Sequence, residues 1–143
     1  CRGQGGFGGP RGEKEQLPAA RDGADAVFEK IMQTTPEQAL LYRLSGDYNP
    51  LHVDPNLAQK VGFQSPILHG LCTYGFAAKA IVENLCGNDV SKLKRFSARF
   101  SREVYPGDAL HVSVVPADKD KAYRVVVSVA DRIVLSNGYV EIH

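Results

Sequence analysis

Gly70-Leu71-Cys72-Thr73-Tyr74-Gly75-Phe76-Ala77-Ala78-Lys79-Ala80-Ile81-Val82-Glu83-Asn84-Leu85-Cys86 is the stretch that decides the fold. Lys79 and Glu83 are its only charged residues, and apolar side chains fall on nearly every helical face. A helix with so little polar surface is one that other elements wrap, and small residues at Gly75, Ala77, Ala78 and Ala80 let them come close. The spacing predicts a helix from about His69 to Cys86, ended by Gly87-Asn88-Asp89.

Downstream, the period changes to two. Phe96, Ala98 and Phe100 alternate with Arg95, Ser97, Arg99 and Ser101, so strands begin near Lys94. Tyr105-Pro106-Gly107-Asp108 reads as a turn, Leu110, Val112 and Val114 mark a second strand, and Asp118 to Lys121 turn again. Tyr123, Val125, Val127 and Val129 mark a third strand, and a fourth spans about Ile133 to Ile142, where Gly138 signals a bulge or a close backbone approach. Short connections imply an antiparallel meander. The expected class is α+β, a long buried central helix wrapped by an antiparallel β-sheet.

Upstream, Thr35-Pro36-Glu37-Gln38 puts a capping threonine before a first-turn proline, with glutamine three residues on. The predicted helix runs through Ala39, Leu40, Leu41 and Leu44 and stops at Ser45-Gly46. Asp54-Pro55 repeats the pattern, with an exit at Gly62. Residues 1–25 read as a Gly-rich connector and 26–143 as the folded domain, because the glycine density of the first residues loses too much chain entropy to hold regular structure. An RNA-binding tail is the weaker reading of that run, which offers only Arg2, Arg11 and Phe7.

Composition narrows the function classes. The 143 residues are 43% hydrophobic, enough for one core, and the net charge of +1 creates no field that would gather nucleic acid or anionic membrane. No run reaches the roughly 20 apolar residues of a membrane span, and no signal peptide is evident. Cys1, Cys72 and Cys86 form neither a C-x-x-C pair nor an even set, so the last two are expected as buried thiols. A start at Cys1 within a glycine run predicts a piece of a longer polypeptide.

Chemistry concentrates in Leu44-Ser45-Gly46-Asp47-Tyr48-Asn49-Pro50-Leu51-His52. Asp47 and His52 offer a carboxylate and an imidazole on a loop that Pro50 stiffens, and Asn49 can donate and accept at once. The plainer reading has Asp47 and Asn49 making local Asx turns while His52 packs. Pro66-Ile67-Leu68-His69-Gly70 then opens the long helix, where unpaired N–H groups face outward and Gly70 leaves room for an acyl oxygen. His69 is expected to support the turn before Gly70, His111 to lie opposite the apolar face of its strand, and His143 is terminal. None has partners at metal-ligand spacing, so no metal is expected.

Tyr42-Arg43-Leu44-Ser45-Gly46-Asp47-Tyr48-Asn49-Pro50-Leu51-His52-Val53-Asp54-Pro55, followed by Pro66 to Thr73, closely resembles the MaoC-like, R-specific type 2 enoyl-CoA hydratases. The likeness extends from Gly5-Gly6-Phe7-Gly8-Gly9 through Tyr105-Pro106-Gly107 to Ser136-Asn137-Gly138-Tyr139-Val140, and resembles the catalytic C-terminal half of the hydratase unit of peroxisomal multifunctional β-oxidation enzymes. The resemblance implies a hot-dog fold and syn addition of water to trans-2-enoyl-CoA, giving (R)-3-hydroxyacyl-CoA. It implies that Asp47 and His52 activate the water, that Asn49 orients them, and that the Gly70 N–H binds the thioester oxygen. It implies substrate contacts at Tyr48, Pro50, Leu51 and Phe100. It implies no cofactor beyond the acyl-CoA substrate, no nucleic-acid partner and no membrane span. Pairing is implied too, either as a homodimer or with an N-terminal hot-dog repeat. Peroxisomal residence is implied, although the chain ends Glu141-Ile142-His143 without a Ser-Lys-Leu type address. Two other readings share the expected fold. One is a hot-dog thioesterase or acyl-carrier dehydratase, which would not need the Asp47, Asn49 and His52 arrangement; the other is a noncatalytic acyl-CoA-binding repeat.

Overall fold

The computed structural model describes residues 15–143, so the glycine run and Cys1 lie outside the described residues. The described elements are strands β1 (Phe28–Gln33), β2 (Leu93–Phe100), β3 (Ala109–Pro116), β4 (Ala122–Val129) and β5 (Arg132–Ile142), with helices α1 (Gln38–Tyr42), α2 (Pro55–Lys60) and α3 (Gly70–Leu85) between β1 and β2 in sequence. The strands form one antiparallel sheet in the order β1-β3-β4-β5-β2. Helix α3 packs against it in the hot-dog arrangement. No helix among the described residues is long and apolar enough to cross a membrane.

Period-two alternation sets the contact. Leu110, Val112 and Val114 of β3 are fully buried, as are Val125 and Val127 of β4. The ladder places Val112 opposite Val127 and Val114 opposite Val125, so one register aligns both inward faces. Against them lie Cys72, Ala77, Ala80 and Ile81 of α3. Ala77 and Ala80 are 0% exposed, and their short side chains allow the helix to sit close. Tyr74 pins α3 to β2 by donating its hydroxyl to the Phe96 carbonyl at 2.6 Å and stacking on the Phe96 ring at 4.3 Å. Cys72 and Cys86 are free, buried thiols, as expected.

The sheet covers α3 on one side only. Leu71, Gly75 and Lys79, four residues apart, are exposed, so among the described residues the wrapping expected on nearly every face is absent there.

The meander holds for β3, β4 and β5 but not for β2, which pairs with β5 at the far edge. Residues 101–108 are too many for a tight hairpin. They can reach about 26 Å in extended form, more than the roughly 14 Å across three strand spacings. Three backbone bonds hold this crossing, Ser101 N–H to the Val134 carbonyl at 2.9 Å, Leu68 N–H to the Val104 carbonyl at 2.7 Å and Thr34 N–H to the Asp108 carbonyl at 3.2 Å. Strand β1 was not anticipated. Of its six residues only Met32 is buried, and Glu29, Lys30 and Ile31 are exposed, so an edge position hides its alternation.

The helix expected from Thr35 to Ser45 is divided. It is α-helical over Gln38–Tyr42, tightens into a 3₁₀ turn over Arg43–Ser45, and ends at Gly46 with φ +111°. The Thr35 hydroxyl does not cap it; the Gln38 side chain instead accepts the Thr35 N–H at 3.5 Å. Asp54 caps α2 as expected, accepting the N–H groups of Asn56 at 2.9 Å and Leu57 at 3.3 Å. Before β1, Arg21 N–H donates to the Pro116 carbonyl at 2.9 Å, and Leu17 packs on Ala117, Ala122 and Tyr139.

Gly138 meets both expectations. The β4–β5 register slips just beyond the Val125–Gly138 pair, and a Cβ on Gly138 would stand 2.2 Å from the Val125 carbonyl oxygen. Gly138→Ala therefore forces the two central strands apart. It is expected to destabilise the fold by about 1–3 kcal/mol, as overpacking does, read as a lower urea midpoint with an unchanged slope.

Candidate active site

Gly46, in the left-handed region, turns the chain out of the 3₁₀ turn and into the segment holding Asp47, Asn49 and His52. Asp47 Oδ1 accepts the Asn49 N–H at 3.2 Å, and Asn49 Oδ1 accepts the Leu51 N–H at 3.0 Å, capping a second 3₁₀ turn over Pro50–His52. Both residues thus make the local turns that their side chains favour. Those turns use one oxygen of each; the other Asp47 oxygen and the Asn49 amide nitrogen are left for further contacts.

His52 is tied to the segment that opens α3. Its Nδ1 lies 2.7 Å from the Ile67 carbonyl, which can only accept, so Nδ1 carries the hydrogen and Nε2 presents a lone pair. His69, at the N-cap position of α3, is only 1% exposed. Its Nε2–H donates to the Asp47 main-chain carbonyl at 3.1 Å. Its ring stacks on His52, with centroids 3.6 Å apart and planes 24° apart, and Tyr42 flanks it at 4.7 Å. One polar atom each from Asp47, His52 and His69 lies within 4.8 Å of the others.

Nothing in the spacing foretold the role of His69 in this cluster, because the helix terminus that supplies it folds onto the Asp47 loop only in three dimensions. The cluster is poorly suited to a metal. Imidazole lone pairs lie in the ring plane, and two nearly parallel rings aim them side by side, whereas two histidines on one tetrahedral ion must converge on it. Burial holds the His69 imidazole below the usual histidine range, opposed by its bond to the Asp47 carbonyl and aided by the neighbouring His52.

Gly70 is the first residue of α3, where the N–H has no partner within the helix. A Cβ at Gly70 would stand 3.2 Å from both Cδ1 and Cε1 of the Phe100 ring, so the absence of a side chain lets that ring lie over the helix terminus. Gly70 and Phe100 both border a mostly apolar cleft of about 310 Å³, lined also by Phe63, Ile67, Leu68 and Thr73 among others. Ile67 joins the two halves, since it borders the cleft and its carbonyl holds His52. Of the four expected substrate contacts, Phe100 alone lines this cleft. Tyr48, Pro50 and Leu51 stay on the loop, with Tyr48 61% exposed and its ring 5.4 Å from the Arg43 guanidinium. A carboxylate and a basic imidazole nitrogen beside a helix N-terminus can move protons while a developing oxyanion is stabilised.

Residues 19–137 match the MaoC like domain, and the chain belongs to that family. It is 43% identical over 144 residues to the peroxisomal multifunctional enzyme type 2 of Mus musculus, covering 98% of this chain and 19% of that protein. It is 49% identical over 110 residues to the peroxisomal enoyl-CoA hydratase 2 of Arabidopsis thaliana, covering 77% of this chain and 35% of that one. The crystal structure of a MaoC-like dehydratase from Phytophthora capsici superposes with a TM-score of 0.86 at 34% identity, over 99% of this chain and 48% of that chain. The chain thus spans about half the length of these relatives or less.

The neutral, buried state of His69 links stability to pH. Its folded pKa lies below the usual 6.5, so its contribution is fully present above that value and declines as pH falls toward the folded pKa. His69→Gln should abolish that part of the acid sensitivity, seen as a flatter dependence of the unfolding free energy on pH below about 6.5.

Proposed function

We propose that this chain is an R-specific enoyl-CoA hydratase of fatty-acid β-oxidation, converting trans-2-enoyl-CoA and water into (R)-3-hydroxyacyl-CoA. The reading rests on one juxtaposition: the Ile67 carbonyl holds His52 of the Asp47–His52 loop, and Ile67 and Gly70 both line an apolar cleft. Its substrate class draws on the names of the mouse and Arabidopsis relatives.

In this mechanism the thioester oxygen accepts a hydrogen bond from the Gly70 N–H, helped by the partial positive charge of the α3 terminus. Water sits between the free oxygen of Asp47 and Nε2 of His52. As its oxygen bonds to C3, one of these groups takes its proton and a proton is delivered to C2. The electron pair of the C2–C3 π bond passes through an enolate on the thioester oxygen, where the Gly70 N–H is placed to stabilise it. All atoms of water enter the product, so no redox cofactor is required. The Asn49 amide orients the pair, and Phe100 lies against the acyl chain. Tyr48, Pro50 and Leu51 contact substrate from the loop once it is bound.

The proposal extends to assembly and location. Exposed Leu41 of α1, Leu44 of the 3₁₀ turn after it and Leu71 of α3, and relatives of at least twice this length, support pairing with a second hot-dog unit. That unit is either another copy or a repeat joined through the Gly-rich residues 1–25. Peroxisomal residence follows from the names of those relatives.

General acid–base groups typically contribute about 100- to 10,000-fold to rate. Asp47→Asn and His52→Ala should each reduce hydration of trans-2-enoyl-CoA by a factor in that range while leaving the circular dichroism spectrum unchanged. Near wild-type turnover in both variants would contradict these roles. Sedimentation of the chain at micromolar concentration should show a dimer, and a strictly monomeric mass would count against self-pairing.

A further inference from the structure

We propose that His69 is a positioning residue that fixes Asp47 and His52 relative to one another, its Nε2–H holding the Asp47 main chain and its ring face holding the His52 imidazole. The inference rests on reading Asp47 and His52 as the proton-handling pair.

Asp47 needs such a tie. It lies on an exposed loop, and its side chain has one local bond, from the Asn49 N–H. Five peptide units separate it from His52, so local geometry alone leaves the distance between carboxylate and imidazole loosely set. His69 stands at the start of the long helix α3, three residues before buried Cys72. From there it reaches the Asp47 carbonyl. The His52 ring is held in its plane by the Ile67 carbonyl and against rotation out of that plane by the His69 face. The same terminus presents the Gly70 N–H, so proton transfer and oxyanion stabilisation share one rigid reference.

The arrangement works only with His69 uncharged. Its Nδ1 is buried and has no hydrogen-bond partner among the described residues, so a proton placed there would point an N–H at no acceptor. Tyr42, Arg43, Asp47 and His52 are the titratable or charged groups around it. Of these, His52 and Arg43 oppose a cation while Asp47 favours one, and the helix terminus adds to the opposition. A neutral His69 leaves its stacked neighbour free to accept the proton, whereas a charged one would oppose it.

The first test is nitrogen-15 NMR of the histidine rings in the unmodified chain, which depends on neither variant nor turnover. The expected result is a His69 ring fixed as the Nε2–H tautomer when neutral and titrating below the usual histidine midpoint of about 6.5. A His69 that titrates at or above that midpoint, or carries its hydrogen on Nδ1, would overturn the proposal.

Kinetics supply the second test. His69→Phe keeps an aromatic face and removes the donor; it is expected to lower kcat by about 100-fold, the scale of a small misplacement of reacting groups, with KM unchanged. His69→Gln restores a donor for the Asp47 carbonyl and should recover part of that loss. In an Asp47→Asn background His69→Phe should cost little more, since it acts through a group already disabled. A loss confined to KM, or one that multiplies with Asp47→Asn, would contradict positioning. A folded chain without hydratase activity would count against the reaction, and the ring tautomers would still decide the role of His69.

Discussion

The contact between the small-residue face of α3 and the valine ladder of β3 and β4 is the constraint on which the rest depends. Ala77 and Ala80 let the helix axis lie close to Val112, Val114, Val125 and Val127, and this fixes where the helix begins. That starting point carries His69 and Gly70. It also orders residues 66–68, whose Leu68 N–H bonds the Val104 carbonyl and whose Ile67 carbonyl holds His52. A larger residue at Ala77 or Ala80 would displace the helix and, with it, the reference point for every group at the site.

The site therefore combines a rigid half and a supported half. The helix terminus and the end of β2 belong to regular elements, the helix being anchored by buried Cys72 and Thr73. The Asp47–His52 loop is exposed and turns on its own Asx bonds, and it gains its position from two contacts with the rigid half, one to the Ile67 carbonyl and one from His69. Such a division suits a reaction in which the substrate must enter beside a loop and then meet groups already aligned.

Much of this was legible in the sequence where a feature is local. The α3 run, the alternation of β3 to β5, the Asp54 cap and the Gly138 close approach all follow from periods and turn chemistry within a few residues. Strand β1 was not legible because its charged edge residues mask the inward Met32. The place of β2 beside β5 was not legible either, since an eight-residue connection fits several topologies. At the site, the carboxylate, imidazole and glycine were evident from their types and spacing. The histidine stack was not, because it joins a loop to a helix terminus through tertiary packing that no local pattern encodes. The exposed Leu71, Gly75 and Lys79 face shows the complementary limit, as an apolar helix announces that it will be covered without saying by which chain.

The most direct test is the stereochemistry of hydration in deuterium oxide, using a trans-2-enoyl-CoA and resolving both new centres of the product. The proposed hydratase reaction, with the Asp47–His52 pair on one side of the bound double bond and the thioester oxygen held by the Gly70 N–H, predicts the R configuration at C3. It also predicts deuterium at C2 on the same face as the added hydroxyl. An S product or a racemic C3 would contradict the proposed reaction, and addition to opposite faces would contradict the placement of those three residues around the substrate.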